Sequence, residues 1–463
     1  MISERDIRDR IFKEFIAPTK VKKDYIGIEI EMPIINLNKK AVDFNVVHKV
    51  TNSFKNEFGD FKENGIDYDG NIFSLRNSCN DDIVCYDCSY NNIEFAMGKE
   101  KDLFTISERF ETYYKFFKDE FEKCNHTLTG MGINPYRKYN KEIPIPNERY
   151  LMLYHYLKSY DNYRNQPIYF HNYPGFGMFS SSSQVQLDVH YDDLIKTINT
   201  FSHLEPIKGL LFSNSVFLDE NKGVTCFRDA LWEYSTHGVN QHNIGAYDID
   251  FESMSELENY LQTLNIYCVE RNGSYIDFPT MNLLDYFKED KISGEKYTPE
   301  GYEKIDVIPQ LDDIKYLRAF KFINLTFRGT LEYRSVCTQP IKDSMSVAAF
   351  HVGLNDRIDE LDDILKNDHS LTYKGYNYDE LRKLLIQDEL PSFIDRDALC
   401  SLTKQILDLS RDGLEERGIG EEKFIDCLYD RVKNRTNPGK ELIKSLKNNV
   451  PIEDMIREYG KLY

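Results

Sequence analysis

The stretch TFRGTLEYRS, residues 326–335, places an acid and a base two positions apart within a segment rich in strand-forming residues. Glu332 and Arg334 are separated by one residue, so on an extended chain their side chains project from the same face. One explanation of this pair is a cross-strand ion pair at a wet sheet edge. The other is chemical, with a carboxylate that binds a cation beside a guanidinium that binds an anion.

Further acids occur in strand-like segments elsewhere in the chain. Glu29 and Glu31 alternate with isoleucines in GIEIE, and Asp87 and Glu94 lie in YDCSYNNIEF. Glu94 stands between two apolar residues, where an unpaired buried carboxylate is costly. Taken singly, such acids are explained by a half-exposed strand with a wet face. Together with Glu332 they indicate ligands for hard cations, because carboxylate oxygens suit Mg²⁺ or Mn²⁺.

A metal site of this kind suits phosphoryl transfer, in which metal ions bridge the phosphates of ATP. Arg334 would then contact the γ-phosphate. The sequence has no Walker A motif, kinase glycine-rich loop or dinucleotide fingerprint, so a nucleotide would be held chiefly through its metal ions. Cys85 and Cys88 have the C-x-x-C spacing, but a zinc or redox interpretation lacks a second such pair.

Composition restricts the class of protein. The chain has 463 residues, of which 41% are hydrophobic and 29% charged, as in soluble globular proteins. The net charge of −19 argues against a nucleic-acid or anionic-membrane partner. The first sixteen residues predict an amphipathic helix capped by Ser3 rather than a signal peptide, and no apolar run is long enough to span a membrane. The nine irregularly placed cysteines favour a reducing cytoplasm.

The periodicity of the chain predicts an α+β protein. We expect a helix near the start, a strand over 24–35, short strands over 67–97 and a strand over 128–136. We also expect a hairpin turning at Asn272-Gly273 and a closing strand over 319–336. After residue 343 every segment has a helical pattern. The predicted organisation is therefore a catalytic α+β domain over residues 1–343, followed by a helical region over 344–463 that packs on it.

The amino-acid sequences of these segments, and their order along the chain, resemble those of the glutamate–cysteine ligase family, whose catalytic domain is related to the glutamine synthetase fold. The likeness is greatest to the branch found in plants and many bacteria. The segments that carry it are GIEIE (27–31), YDCSYNNIEF (86–95), GMGINPYRKYNKEIPIPNERYLMLYHYL (130–157), GMFSSSSQVQLDVHY (177–191), LLFSNSVFLDENKGVTCFRDALW (210–232), GSYIDF (273–278), LEYRSVCTQP (331–340) and LEERGIGEEKFIDCLYDRVKNRTNPGKELIKSL (414–446).

The resemblance implies a curved antiparallel sheet with flanking helices, and a role for each candidate residue. Two or three Mg²⁺ ions, or Mn²⁺ in their place, would be bound by Glu29, Glu31, Asp87, Glu94 and Glu332. Gln184 would face the same metals and substrate. Arg334 would act with Glu332 in catalysis by stabilising the transferring phosphoryl group, and Arg228 would bind a substrate carboxylate. Without the resemblance, Arg228 would be interpreted as a surface residue at a helix start.

The activity implied is ATP-dependent joining of the γ-carboxylate of glutamate to the amine of an amino acid, cysteine first, through an acyl phosphate. Its partners would be its small-molecule substrates, with no nucleic acid or membrane, and the enzyme would be a monomer or a homodimer. CYDCSYNN replaces the Glu-Pro-Gly-Gly stretch of the plant-type branch, and the run around 77–90 resembles an insertion. A ligase of the same family with another acceptor or donor is therefore the alternative. A paired-carboxylate glycosidase and a silent binding protein are more distant alternatives.

Overall fold

The computed structural model describes residues 2–21, 23–220, 223–371 and 375–463. The strands are β1 Ile26–Asn36, β2 Phe61–Ile66, β3 Ile72–Asn77, β4 Ile83–Tyr86, β5 Asn92–Glu100, β6 His126–Leu128, β7 Ser183–Asp188, β8 Ile244–Gly245, β9 Asn265–Arg271, β10 Ser274–Asn282, β11 Ile292–Thr298, β12 Gly301–Val307, β13 Phe320–Lys321, β14 Ile323–Leu325 and β15 Thr330–Tyr333. The α-helices are α1 Glu4–Ile11, α2 Phe44–Glu57, α3 Leu103–Glu122, α4 Glu148–Lys158, α5 Leu194–His203, α6 Glu205–Phe212, α7 Phe227–Glu233, α8 Met254–Gln262, α9 Leu283–Tyr286, α10 Met345–Asn355, α11 Ile358–Asn367, α12 Tyr378–Leu385, α13 Arg396–Arg417, α14 Asp426–Asn434, α15 Pro438–Lys447 and α16 Ile452–Tyr459.

An antiparallel sheet forms the centre of the molecule. Its strand order is β14-β15-β7-β1-β5-β4-β3-β2, and β6 pairs with the far end of β1. A second antiparallel sheet has the order β12-β11-β10-β9, and β8 and β13 form a short parallel pair. Strand β1 is central because its isoleucines are β-branched and alternate regularly, a pattern that suits a strand paired on both sides.

The two faces of β1 have different surroundings. Ile28, Ile30 and Met32 are buried and belong to the main apolar core, together with Phe110 and Phe117 of α3. Because side chains alternate along a strand, the acids of β1 must project from the opposite face. The apolar pattern of a single strand therefore decides where the acidic residues lie.

Several predicted elements are confirmed. The first helix begins where expected, with the Ser3 hydroxyl accepting a hydrogen bond from the Asp6 backbone N–H in a capping box. The hairpin between β9 and β10 turns at Asn272 and Gly273, whose φ angles are 52° and 79°. Positive φ at both central positions is what a type I′ hairpin turn requires, and this explains the Asn-Gly sequence.

Two predicted strands are wrong in extent. The segment 319–336 forms the short strands β13, β14 and β15 instead of one strand, with a turn that ends at Gly329 (φ 77°). A side chain at Gly329 would meet the backbone of Pro18 at 2.6 Å. Of the segment 128–136, only Leu128 belongs to a strand, as the last residue of β6. Beyond it the backbone of Gly130 lies so close to the Gln339 carbonyl that a Cβ atom on Gly130 would be 2.1 Å from the carbonyl oxygen.

Helix α10, the first α-helix after residue 343, packs directly on the central sheet. Every residue of α10 from Met345 to Leu354 is buried, and α10 contacts both β7 and α3. Residues of α10–α14 belong to the same apolar core as the sheet. The boundary at residue 343 stays a prediction. Among the described helices, none has the length and apolar character needed to cross a membrane.

Candidate active site

The register of the central sheet brings the predicted acids to one face. Glu31 of β1 lies opposite Glu94 of β5, and Glu94 lies opposite Cys85 of β4. On the other side of β1, Glu29 lies opposite Gln184 of β7. Directly opposed residues share a face, so four strands supply one polar surface from segments far apart in the chain.

Three of the acids form a compact group, which we call the acid cluster: Glu31, Asp87 and Glu94. One carboxylate oxygen from each lies within 4.8 Å of those of the other two. Asp87 directly follows β4, two residues after Cys85, and so it projects to the same face. Among the described residues, no arginine, lysine or histidine forms an ion pair with any of the three.

Neutral groups bind Glu31 within the acid cluster. The Ser182 backbone N–H donates to Glu31 Oε2 at 2.8 Å, and Gln184 Nε2 donates to Glu31 Oε1 at 3.0 Å. Gln184 is only 5% exposed, and in the described part of the chain its Oε1 has no hydrogen-bond partner. A buried acceptor without a donor is uncommon, and here it lies beside three carboxylates.

Burial and like charge raise the carboxyl pKa values on this face. Burial raises the pKa of Glu94 well above its usual range, and the neighbouring acids Glu29 and Asp87 raise it further. The pKa values of Glu31 and Asp87 are raised mainly by burial as well. For Glu29, burial and then the charge of Glu332 raise the pKa to about 7. The site therefore holds more carboxyl groups than it can ionise without added positive charge.

Glu29 and Glu332 form a second acidic pair on the same face. Gln186 Nε2 donates to Glu29 Oε1 at 3.0 Å and to Glu332 Oε1 at 2.8 Å. The other oxygen of Glu332 accepts a hydrogen bond from Arg334 Nη1 at 2.5 Å. The ion pair suggested by the E-x-R spacing therefore exists, but it lies inside the acidic face, with Glu332 only 6% exposed, and not at a wet sheet edge.

Arg228 lies beside Arg334 and not on the surface. It is the second residue of α7, it is 5% exposed, and its Nη1 donates to the Arg334 carbonyl oxygen at 3.0 Å. The backbone N–H of Arg228 donates to Ser215 Oγ. Its positive charge lowers the pKa of Glu31, opposing the larger effect of burial. The structure thus brings together all eight predicted site residues, which are Glu29, Glu31, Asp87, Glu94, Gln184, Arg228, Glu332 and Arg334.

Sequence reasoning missed three polar residues of this face. Gln186 bridges Glu29 and Glu332, and its Oε1 accepts a hydrogen bond from Arg328 Nη2 at 2.7 Å. Arg149 is the second residue of α4, and its charge opposes the rise in pKa of Asp87. A signal existed for Gln186, because it is two positions from Gln184 on a strand. Arg149 lies in NERYL, a segment that contributed to the resemblance without being given a role.

The cysteines near the acids are thiols. All nine cysteines of the chain are free, and burial raises the pKa values of Cys85 and Cys88 well above their usual range. Raised thiol pKa values are the opposite of what a reactive or metal-binding thiolate pair requires. The C-x-x-C segment contributes Asp87 to the acidic face.

The donor set fits a divalent hard cation. The acid cluster offers only oxygen ligands, which is the preference of Mg²⁺ and Mn²⁺. The orphaned Gln184 Oε1 offers a further oxygen at the same place. A cation would also remove the like-charge repulsion that raises the carboxyl pKa values, so geometry, unsatisfied bonding and charge agree.

No family model matches the chain, but curated relatives do. Glutamate–cysteine ligase, chloroplastic, of Medicago truncatula is 23% identical over 333 residues, which is 70% of this chain and 60% of that protein. Glutamate–cysteine ligase A, chloroplastic, of Oryza sativa subsp. indica is 24% identical over 332 residues, 70% of this chain and 61% of that protein. The chain thus spans about 60% of the length of the curated relatives it matches.

A solved structure has the same fold. The glutamate–cysteine ligase of Francisella tularensis, in complex with AMP, superposes with a TM-score of 0.52 at 12% identity, covering 95% of this chain and 89% of that one. The predicted α+β class is confirmed, and the fold is that of a glutamate–cysteine ligase. The resemblance that the sequence segments predict is confirmed, because the curated relatives and the solved structure are glutamate–cysteine ligases.

Proposed function

We propose that this protein is an ATP- and Mg²⁺-dependent ligase that joins the γ-carboxylate of glutamate to the amine of an amino acid, with cysteine the first candidate. One observation carries the proposal: the carboxylates of Glu31, which is buried, and of Asp87 and Glu94, which are half-buried, lie within 4.8 Å of one another on the same sheet face as Glu332 and Arg334. The names of the curated relatives and the AMP complex of the Francisella enzyme support it.

The acidic residues would divide into two metal-binding sets. Glu31, Asp87, Glu94 and Gln184 would hold one ion, and Glu29 with Glu332 would hold a second. When bound, Mg²⁺ neutralises charge on the triphosphate and on the transferring phosphoryl group. In the first set the carboxylates come from the adjacent strands β1 and β5 and from the residue after β4. In the second set Glu29 and Glu332 come from β1 and β15, which lie on either side of β7.

The arginines would position the two reacting groups. Arg228 would bind a carboxylate of the amino-acid donor, because a planar guanidinium matches carboxylate geometry. Arg334 would bind the γ-phosphoryl group of ATP. A donor carboxylate oxygen attacks the γ-phosphorus and ADP leaves, which gives an acyl phosphate. The acceptor amine then attacks the acyl carbon, phosphate leaves and the amide forms.

No enzyme nucleophile takes part in this sequence. The rate would come from placing the reacting atoms and from stabilising charge in a site from which water is largely excluded. The burial of Glu31, Glu332 and Arg228 supports such an environment. The raised carboxyl pKa values on this face reflect the free-energy cost of ionising these groups together, and bound cations would lower that cost.

A ligase with another acceptor or donor is the second candidate. The segment CYDCSYNN stands where the plant-type branch has Glu-Pro-Gly-Gly, and it supplies Asp87 and Cys85 to the acidic face. A change of sequence beside the reacting groups would alter the shape and charge that an acceptor meets. We place the protein in the cytoplasm, as its free cysteines suggest.

The direct experiment incubates the protein with Mg-ATP, glutamate and each of the twenty amino acids in turn, and follows ADP release and product mass. We expect one acceptor, or a small set, to give ADP and a γ-linked product. A second series replaces glutamate by other dicarboxylates, so that a different donor is recognised as such. Metal-independent hydrolysis of glycosides, with no ADP formed from any pair, would contradict the proposal.

The matched variants are Glu332→Gln and Glu303→Gln. Glu332 lies inside the acidic face, whereas Glu303 is exposed on β12 of the second sheet. Both changes remove one negative charge and keep the side-chain shape. We expect Glu332→Gln to abolish turnover with the fold intact and Glu303→Gln to retain it. Full activity of Glu332→Gln would remove Glu332 from the site.

A further inference from the structure

Arg382 is a buried arginine that the proposed mechanism does not use. It lies in α12, within the helical region after residue 343, and is 2% exposed. Burial of a permanently charged side chain is costly unless its donors are satisfied. The contacts of Arg382 are therefore expected to matter for the fold, for function or for both.

The guanidinium of Arg382 binds the neighbours of both site arginines. Its Nε and Nη2 donate to the two carboxylate oxygens of Asp229, at 2.7 and 3.3 Å, and Asp229 directly follows Arg228. Its Nη2 also donates to the Ser335 carbonyl oxygen at 3.0 Å, and Ser335 directly follows Arg334. One planar group thus joins helix α7 to the segment after β15.

A second contact links Arg382 to the same segment through Phe322. The Arg382 guanidinium lies 4.5 Å from the centre of the Phe322 ring, and the Phe322 carbonyl oxygen accepts the Arg334 backbone N–H at 2.8 Å. The Arg228 side chain itself donates to the Arg334 carbonyl oxygen. The backbone at Arg334 is therefore held on both sides, by Arg228 and by the surroundings of Arg382.

The remaining donor of Arg382 is anchored to α6. Its Nη1 donates to the backbone oxygen of Glu205 at 3.0 Å and to Glu205 Oε2 at 3.1 Å. Glu205 Oε1 accepts from Lys208 Nζ at 2.6 Å, and both side chains are fully buried. Two acids and two bases thus form a charge-balanced group, which we call the buried network: Glu205, Lys208, Asp229 and Arg382.

We propose that Arg382 is a positioning residue that sets the spacing between Arg228 and Arg334, and so aligns the donor carboxylate with the transferring phosphoryl group. The inference rests on the proposed function for the roles of the two arginines. It assigns a functional task to the helical region, because α12 would support the two site arginines through Arg382 without contacting substrate itself. A fork-shaped guanidinium suits this task, since lysine could not hold Asp229 and the Ser335 carbonyl in one plane.

Arg431 provides a matched control. It too is a buried arginine from the helical region, 6% exposed, and it donates to the Leu211 carbonyl, Gln339 Oε1 and Asp343 Oδ2 at 2.7 to 3.1 Å. None of these partners is the residue next to Arg228 or Arg334. A loss of function that follows from general loss of buried arginine contacts should therefore appear equally in Arg431→Lys and Arg382→Lys.

The experiment compares Arg382→Lys with Arg431→Lys in the full-length protein, using Mg-ATP, glutamate and cysteine. For Arg382→Lys we expect kcat/KM for glutamate to fall about 10²-fold, since small misplacement of reacting groups has effects of this size. KM for glutamate should rise while KM for ATP stays nearly constant. Loss of folded protein would lower kcat and move neither KM. Equal kinetic constants for the two variants would overturn the inference.

Amide hydrogen exchange gives a readout that does not need turnover. We expect faster exchange in Arg382→Lys over 226–234 and 333–337, and no such change in Arg431→Lys. If the wild type shows no ATP-dependent ligation, the proposed function fails. The exchange rates of residues 226–234 and 333–337 would still decide whether Arg382 holds these two segments in place. Should Arg382→Lys fail to fold, Asp229→Asn removes the partner's charge and is expected to show the same change in KM. Unchanged exchange at both segments would contradict the inference.

Discussion

The acid cluster and the buried network are two groups of ionisable side chains at the same site, and they differ in charge balance. The buried network pairs two acids with two bases through hydrogen bonds of 2.6 to 3.3 Å. The acid cluster places three carboxylates within 4.8 Å of one another and has no ion-paired base among the described residues. The buried network and Glu31 are buried, whereas Asp87 and Glu94 are half-buried, and the main difference is the balance of charge.

The comparison separates charges that the fold itself balances from acids that have no ion-paired base among the described residues. A balanced network is complete within the chain, and removing one member leaves an uncompensated buried charge. The acid cluster is incomplete, and burial together with mutual repulsion raises the pKa values of its carboxyl groups. A group that the chain leaves unbalanced in its interior is a candidate for binding, and here the missing partner is positive.

The largest expected effect is at Arg334, which lies between the two groups. Arg334→Gln removes the guanidinium proposed to bind the transferring phosphoryl group. We expect kcat to fall by about 10³- to 10⁵-fold, the range for arginines in this role. Steady-state ADP release measures it. Arg271→Gln is the control, because Arg271 of the second sheet also forms a close ion pair, with Asp313 at 2.7 Å. Comparable losses in both variants would contradict a specific role for Arg334.

The second prediction concerns the stability of the buried network. Glu205→Gln leaves Lys208 and Arg382 with one acid between them in a fully buried place. We expect the free energy of unfolding to fall by about 3 to 5 kcal/mol. Glu94→Gln, in the acid cluster, should cost far less without metal, because it relieves repulsion. Urea unfolding of the two variants in EDTA compares them. Equal destabilisation would show that the two groups do not differ as described.

The third prediction tests the missing positive charge directly. Mg²⁺ should stabilise the wild type by about 2.7 kcal/mol when its concentration is one hundred times its dissociation constant. Glu94→Gln and Glu31→Gln should lose most of this gain. Thermal unfolding with and without Mg²⁺ measures the shift. A shift of the same size in both variants would place the ion elsewhere.

The last prediction concerns a buried imidazole, His237, which is 3% exposed. Burial, and then the charge of Arg334, lowers the pKa of His237 to about 3, whereas an unfolded chain has about 6.5. Below pH 6.5 the unfolded state binds a proton that the folded state does not, so stability falls by about 1.4 kcal/mol per pH unit down to about pH 3. Raised carboxyl pKa values act in the opposite direction.

The variant His237→Phe isolates this contribution. Its unfolding free energy should fall less steeply with acid than that of the wild type between pH 6.5 and 4. The His237 and Phe320 ring centres are 3.8 Å apart, so the substitution also changes packing. This does not affect the result, because each protein is judged by the slope of its own unfolding free energy against pH. Identical slopes would mean that His237 is protonated in the folded protein.

Local pattern was sufficient to predict part of the site. Glu29 and Glu31 share a face because strand side chains alternate, and Glu94 in an apolar strand needed a partner. The Glu332–Arg334 pair also follows from spacing and is present at 2.5 Å. The single strand predicted over 319–336 failed because Gly329 turns the chain beside Pro18, a contact between distant segments.

The remaining site residues depend on contacts that no local pattern contains. The bridge made by Gln186 requires the registers of β1, β7 and β15 together. Arg382 reaches Asp229 across 153 residues of chain, and its helix has an ordinary amphipathic sequence. Residues that complete a site from the far side of the fold therefore had to come from the structure.

The most direct test is a crystal structure of the protein grown with Mn²⁺ and a non-hydrolysable ATP analogue, with anomalous data at the manganese edge. We predict an anomalous peak within bonding distance of oxygens of Glu31, Asp87 and Glu94, with the γ-phosphate turned toward Arg334. A nucleotide bound away from this face, with no metal among these carboxylates, would contradict it.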